Sequence, residues 1–184
     1  MLDDAVLAWL EVVAYPAVEL GIGQQPWTVL EWFDRLEGAC IALDHDPRRV
    51  ETACKAGLDA REGSFDIGFD VGLIRAVNVL RELKWPREPV QQMTSWLKPG
   101  GVLVEATTDK PGSVAAARLW GPNEEDRGWL FAADGQHGWH PRMFRGQVPR
   151  PAREVLERWE SHPEHAEPVA IASGRAVWLG PEPG

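Results

Sequence analysis

The sequence predicts an α/β fold, a doubly wound, mostly parallel sheet with helices on both faces and antiparallel strands at its C-terminal edge. Three observations carry that expectation. Strand-like apolar runs alternate with helix-period segments from residue 17 to residue 107, and such alternation builds a parallel sheet through right-handed crossovers. Val71 to Val79 is apolar apart from Arg75 and Asn78, as suits a strand buried on both faces, although periodicity alone also allows a buried helix. The third is Ala17-Val18-Glu19-Leu20-Gly21-Ile22-Gly23, an apolar run ending in two glycines at alternate positions. It reads as a strand that drops into a tight loop.

In chain order, Val6, Leu7, Leu10 and Val13 fall at helical spacing, with Asp3 or Asp4 available as N-cap, and Tyr15-Pro16 ends that helix. Strand one follows, then the glycine loop, then a helix from Trp27 with Val29, Leu30, Trp32, Phe33 and Leu36 on one face and Gly38 as its stop. Strand two is 39–44. Asp46 and Pro47 are a cap and a first helical residue for a helix from Pro47 to Ala56. A weaker strand lies near Leu58 to Glu62, followed by the loop Gly63-Ser64-Phe65-Asp66. Pro86 to Leu97 reads as a helix with Val90, Met93, Trp96 and Leu97 inward. Lys98-Pro99-Gly100-Gly101 is a turn, and Val102 to Thr107 is strand five. Beyond Pro111 the pattern is less regular: Trp129 to Ala133 reads as a strand, Pro151 to Glu160 as a helix and Ala176 to Leu179 as a last edge strand.

The chain has 184 residues, 44% hydrophobic and 26% charged, with 18 Gly and 15 Pro, which fits one globular domain with many loops. Its expected parts are a leading helix at 1–14, a core at 15–110 and an irregular C-terminal part at 111–184 that could cover a substrate. No apolar run reaches the length of a membrane span, and Met1-Leu2-Asp3-Asp4 lacks a basic leader. The expectation is a cytoplasmic protein that engages no membrane. A net charge of −9 repels phosphate backbones and argues against nucleic-acid binding. Cys40 and Cys54 are read as reduced packing residues. There is no metal-ligand spacing, so no metal is expected, and no nucleophile elbow or Gly-Lys-Ser/Thr phosphate loop.

The glycine loop gains meaning from Ala39-Cys40-Ile41-Ala42-Leu43-Asp44, a second apolar run ending in an acid 21 positions after Gly23. Nucleotide-binding βαβ units have this layout, the acid holding the ribose hydroxyls. Glu19 then separates the ligands. A carboxylate repels the pyrophosphate of a dinucleotide, whereas S-adenosylmethionine offers it an ammonium and a sulfonium. The plainer alternative is a strand, a turn and a surface acid with no ligand.

Taken together, Val18-Glu19-Leu20-Gly21-Ile22-Gly23, Ile41-Ala42-Leu43-Asp44 and Leu97-Lys98-Pro99-Gly100-Gly101-Val102-Leu103 resemble the class I S-adenosylmethionine-dependent methyltransferases, which have a Rossmann-like fold. Ile74 to Leu80 and Gly101 to Asp109 look like an uncharacterised bacterial branch of that family. The resemblance covers roughly residues 15–110. It implies S-adenosylmethionine as cofactor, with Glu19 facing the methionine amino group directly or through water, and Gly21, Ile22 and Gly23 forming the loop under the methionine and ribose. It further implies Asp44 on the ribose, His45 beside the adenosine, Gly63, Ser64 and Phe65 at the adenine edge, and Ala76 to Asn78 near the methyl group. Two departures are Gln24-Gln25-Pro26 in place of a third glycine, and Ser64 where an acid commonly meets adenine, unless Asp66 takes that role.

Methyl transfer from a sulfonium is an in-line displacement that needs alignment and exclusion of water more than a fixed catalytic group. Asp109, Glu105, His137 and His140 are candidate bases, each with a plainer reading as an ion pair, a turn cap or a solvated loop residue. Residues 135–153 hold four arginines and two histidines with no acid; they suit either a lid over an anionic small-molecule substrate or ion pairs with acids of the N-terminal third. Trp27, Trp120 and Trp139 could wall a pocket. The leading expectation is a methyltransferase for a small molecule. Its rivals are a cofactor-binding or interaction protein on the same fold without catalysis, pairing as a homodimer through its aromatic surface, and a nicotinamide-dependent protein, which Glu19 disfavours.

Overall fold

The computed structural model describes residues 1–10, 12–80, 83, 87–109, 112–135, 140–144 and 153–181. The helices are α1 (Leu2–Leu10), α2 (Trp27–Phe33), α3 (Pro47–Lys55), α4 (Arg87–Ser95) and α5 (Arg153–Ser161). The strands are β1 (Ala17–Leu20), β2 (Cys40–Asp44), β3 (Ala60–Glu62), β4 (Val71–Val77), β5 (Leu97–Thr108), β6 (Val114–Trp120), β7 (Asp126–Ala133), β8 (Ala166–Val169) and β9 (Arg175–Leu179). They hydrogen-bond in the order β3-β2-β1-β4-β5-β6-β7-β9-β8. The fold class read from the sequence therefore holds: a parallel N-terminal core with helices, and antiparallel C-terminal strands.

Two compact units divide the chain, one of residues 13–104 and 120–125, the other of residues 1–12, 105–119 and 126–184. In the first, β1 pairs in parallel with β2 and β4, and β2 with β3. All four residues of β1 are buried, as a central parallel strand requires. Alternation along the strands assigns the faces. Val18, Leu20, Ile41, Leu43 and Ile74 pack with Val90 and Met93 of α4, while Ala42 packs with Val29 of α2 and Ala53 of α3. Helices thus cover both faces. Asp46 caps α3 by accepting from the Arg48 amide at 2.9 Å, and Pro47 follows at the first helical position.

The second unit is more regular than its composition suggests. Connections of five residues join β5 to β6 and β6 to β7, too short for parallel crossovers, so these neighbours are antiparallel hairpins. β7 and β8 each run antiparallel to β9. Gly128, at φ +90, lets the β7 backbone approach β9 where a Cβ would overlap the Leu179 carbonyl. Val155, Leu156 and Trp159 of α5 join Trp129, Phe131, Phe144, Val177 and Leu179 in one core, and α1 packs on β7 and β8.

Val71–Val77 is a buried strand, as its apolar run predicts, and the helical alternative falls away. Several other expectations shift. The Lys98-Pro99-Gly100-Gly101 turn is absorbed into β5, with Gly100 at φ +80, and Leu97 opens that strand rather than closing α4. β6 and β8 were not expected. α1 begins at Leu2, so Asp3 and Asp4 lie in its first turn rather than capping it. Cys40 is half-buried and burial raises its thiol pKa, but Cys54 is exposed and is not a packing residue. Among the described residues no helix is long and apolar enough to cross a membrane.

Phe131 is fully buried, with ring centroids 5.0 Å from Phe144 and 5.2 Å from Trp159. Phe131→Ala is expected to cost about 3–5 kcal/mol through the cavity it leaves, read as a lower urea midpoint in equilibrium unfolding.

Candidate functional site

The strand order reverses between β1 and β4: from β1 the chain builds outward through β2 and β3, then returns to place β4 on the other side of β1. Ligands of open α/β sheets bind beyond the carboxyl ends of the strands at such a switch. Gly21-Ile22-Gly23 leaves β1 at this point. Gly21 (φ +83) and Gly23 (φ +75) both adopt conformations that favour glycine. They differ in what they face. A Cβ on Gly21 would come 2.8 Å from Val79 Cγ2, whereas a Cβ on Gly23 would meet nothing within 4 Å. The first glycine serves internal packing beside β4; the second leaves open space above the loop.

The loop is tied to β2 by two bonds. The Gly21 amide donates to the Leu43 carbonyl at 2.8 Å, and the Ile22 amide donates to Asp44 Oδ2 at 2.9 Å. Asp44 is the last residue of β2, with a side chain 1% exposed. Its Oδ1 accepts from the Asp46 amide at 2.9 Å, and Arg49 Nη1 lies 3.5 Å from Oδ2. The carboxylate therefore braces the loop and the turn into α3 together. One carbonyl further, the Gly63 amide donates to Asp44 O at 3.1 Å, bringing the end of β3 alongside.

Glu19 has a partner that the sequence reading did not assign. It stands directly opposite Arg75 in the β1–β4 register, and Arg75 Nη1 donates to Glu19 Oε1 at 2.7 Å with both side chains at most 4% exposed. Trp32 of α2 lies against the pair, its ring centroid 5.3 Å from the Arg75 guanidinium carbon. The signal was in the sequence: a lone arginine in a strand buried on both faces needs a counter-charge, and Glu19 is the acid in the other such strand.

The remaining expected residues divide. Ile22 and Ala76 are buried, Phe65 packs partly into the core, and Ser64 and Asp66 are exposed. His45 is 83% exposed, with Nδ1 3.5 Å from Asp44 Oδ1. Asn78 follows β4 directly, with φ +61. Asp109 accepts from the Val114 amide at 3.0 Å and from Ser113 Oγ at 2.8 Å, the bonds of a turn cap. His140 Nδ1 accepts from the Arg142 amide at 3.1 Å. Of the arginine-rich stretch, Arg142 pairs with Glu160 at 3.0 Å rather than with an acid of the N-terminal third. His137, Trp139, Arg145 and Arg150 lie outside the described residues. Trp27 is 62% exposed and Trp120 packs against the core of the first unit.

For S-adenosylmethionine the fit is therefore divided. The glycine loop and the space over Gly23 suit a nucleoside-bearing ligand at the switch. Glu19 does not suit a direct contact with an ammonium, because Arg75 already neutralises it in the core.

No protein-family model and no curated protein matches the sequence. Solved structures do. The plantazolicin methyltransferase BpumL, in complex with a triazolic desmethylPZN analog and SAH, aligns with 60% of this chain and 46% of its own at 12% identity and TM-score 0.51. Its complex with a monoazolic analog and SAH gives 60% and 47% at 13% identity and TM-score 0.50. A possible histamine N-methyltransferase from Thermotoga maritima aligns over 59% of this chain and 52% of its own at 18% identity and TM-score 0.45. The chain spans about half the length of these structures.

Breaking the buried pair from one side should cost about 3–5 kcal/mol, because it strands a desolvated charge. Arg75→Met is accordingly expected to lower the urea midpoint strongly, and the double change Glu19→Leu with Arg75→Met to recover most of that loss.

Proposed function

From the premise that this chain has the fold of the class I S-adenosylmethionine-dependent methyltransferases, we propose that it binds S-adenosylmethionine beyond β1, β2 and β4 and methylates a small molecule. One observation carries the reading: a two-glycine loop, open above Gly23, sits at the strand-order reversal. When bound, the cofactor would supply a sulfonium methyl to a nucleophile by in-line displacement, with the neutral thioether S-adenosylhomocysteine as leaving group.

The chain's own groups align and desolvate. Gly21, Ile22 and Gly23 offer backbone to the ligand. Asp44 holds the Ile22 amide at 2.9 Å, so the loop is ordered in advance and little conformational entropy is lost on binding. A carboxylate has about four acceptor sites, so Asp44 can take a ribose hydroxyl while it holds the Ile22 and Asp46 amides. His45, Gly63, Ser64 and Phe65 edge the adenine, and Ala76 and Asn78 lie toward the methyl. With Glu19 committed to Arg75, the ammonium is met by carbonyls at the strand ends.

The internal commitments of Glu19 and Asp44 favour a second reading, a ligand-binding or interaction protein on the same fold that has lost methyl transfer. Binding without S-adenosylhomocysteine production over a broad panel of small nucleophiles separates the two.

Isothermal titration with S-adenosylmethionine and S-adenosylhomocysteine is expected to give saturable heat. None at protein concentrations near roughly 100 μM would remove the proposal. Asp44→Ala should weaken binding by about 1–3 kcal/mol, the range for hydrogen bonds to a charged group; unchanged affinity in a variant that still unfolds cooperatively would refute the role of Asp44.

A further inference from the structure

A second site, independent of the cofactor reading, lies in the other unit on the turn between α5 and β8. The sequence there is Ser161-His162-Pro163-Glu164-His165-Ala166. Pro163–His165 form one 3₁₀ turn with proline at its start, closed by the His165 amide donating to the His162 carbonyl at 3.1 Å. Side chains three apart eclipse on a 3₁₀ turn, so the two imidazoles stack, with centroids 5.1 Å apart and planes at 19°. Glu164 folds in beside them, its Oε1 3.3 Å from His162 Nδ1. One ligand atom from each of the three residues falls in a group no wider than 4.8 Å.

We propose that His162, Glu164 and His165 bind a zinc-class divalent cation. The donors are two imidazole nitrogens and one carboxylate oxygen, a set that suits first-row divalent ions. Bonds of about 2.0–2.2 Å in tetrahedral geometry separate ligand atoms by roughly 3.4 Å, so the group must contract. It can do so by side-chain rotation alone, since His162 and Glu164 are 56% and 63% exposed and the backbone turn already sets their spacing. Three protein ligands leave the fourth position to water. The ion replaces the weak His162–Glu164 contact by three bonds and pins the end of α5 to the start of β8. Read along the chain, His-x-Glu-His on a proline-opened turn is the spacing that a search for paired Cys-x-x-Cys or His-Glu-x-x-His patterns passes over.

Titration of the untagged full-length chain with zinc chloride, followed calorimetrically, should show one site with a dissociation constant on the order of 1–10 μM. His162→Ala, His165→Ala and Glu164→Gln should each weaken it at least tenfold without altering the unfolding transition of the metal-free protein, because the side chains are at the surface. Cys54→Ser, which removes an exposed thiol elsewhere, should leave it unchanged. No saturable binding near roughly 100 μM, an isotherm unaltered in the His162→Ala/His165→Ala double variant, or loss of binding in Cys54→Ser would each overturn the proposal.

Discussion

The ion pair between Glu19 and Arg75 is the constraint around which the parallel half is arranged. Two charges removed from water are costly, and their mutual attraction offsets that cost only in good geometry. The 2.7 Å contact between directly opposed residues of adjacent strands supplies it. A slip of β4 by one residue would turn Arg75 to the α4 face and leave two lone charges in the core. The pair therefore penalises misregister at the junction where the strand order reverses. Trp32 closes over it, so the placement of α2 depends on the same contact.

That arrangement bears on the ligand site proposed at the glycine loop. A carboxylate at the end of β1 would favour a cationic ligand if it faced the loop alone, but with its guanidinium partner the local charge is neutral. Asp44 is committed in a comparable way, its two oxygens holding the Ile22 and Asp46 amides. In the proposed site, discrimination then falls to backbone groups and shape. Gly21 and Gly23 show the same division: one is required by Val79 beside it, the other faces open space.

The parts of the fold that were legible are those where local signals and burial agree. β1, β2, the proline-opened α3 and the glycine loop follow from apolar runs and caps that need no distant partner. Arg75 was visible only as an interruption, because its partner lies 56 residues away and pairing across a sheet leaves no local trace. Val114–Trp120 contains three consecutive alanines and no alternation, a composition that suits a helix, yet it is held as β6 by neighbours on both edges. Pro99 and the two glycines after it signal a chain reversal, but Lys98 Nζ donates to the Tyr15 carbonyl at 3.1 Å and the segment stays in β5. Of the site, the loop and its acids could be placed from spacing; how far those acids are used internally could not.

The position of α1 bears on how the chain folds during synthesis. Its buried residues Leu2, Ala5 and Val6 belong to a helix that packs on β7 and β8, and Trp9 lies 6.2 Å from Trp178 in ring centroids. More than a hundred residues must leave the ribosome before those partners exist. Until then a nine-residue apolar helix has nothing to cover it and is too short to persist alone in water. Closing so long a loop costs roughly 4 kcal/mol in chain entropy, recovered only when β7 to β9 are in place. The parallel unit can condense before β7 to β9 have been made; the antiparallel one, which α1 joins, cannot.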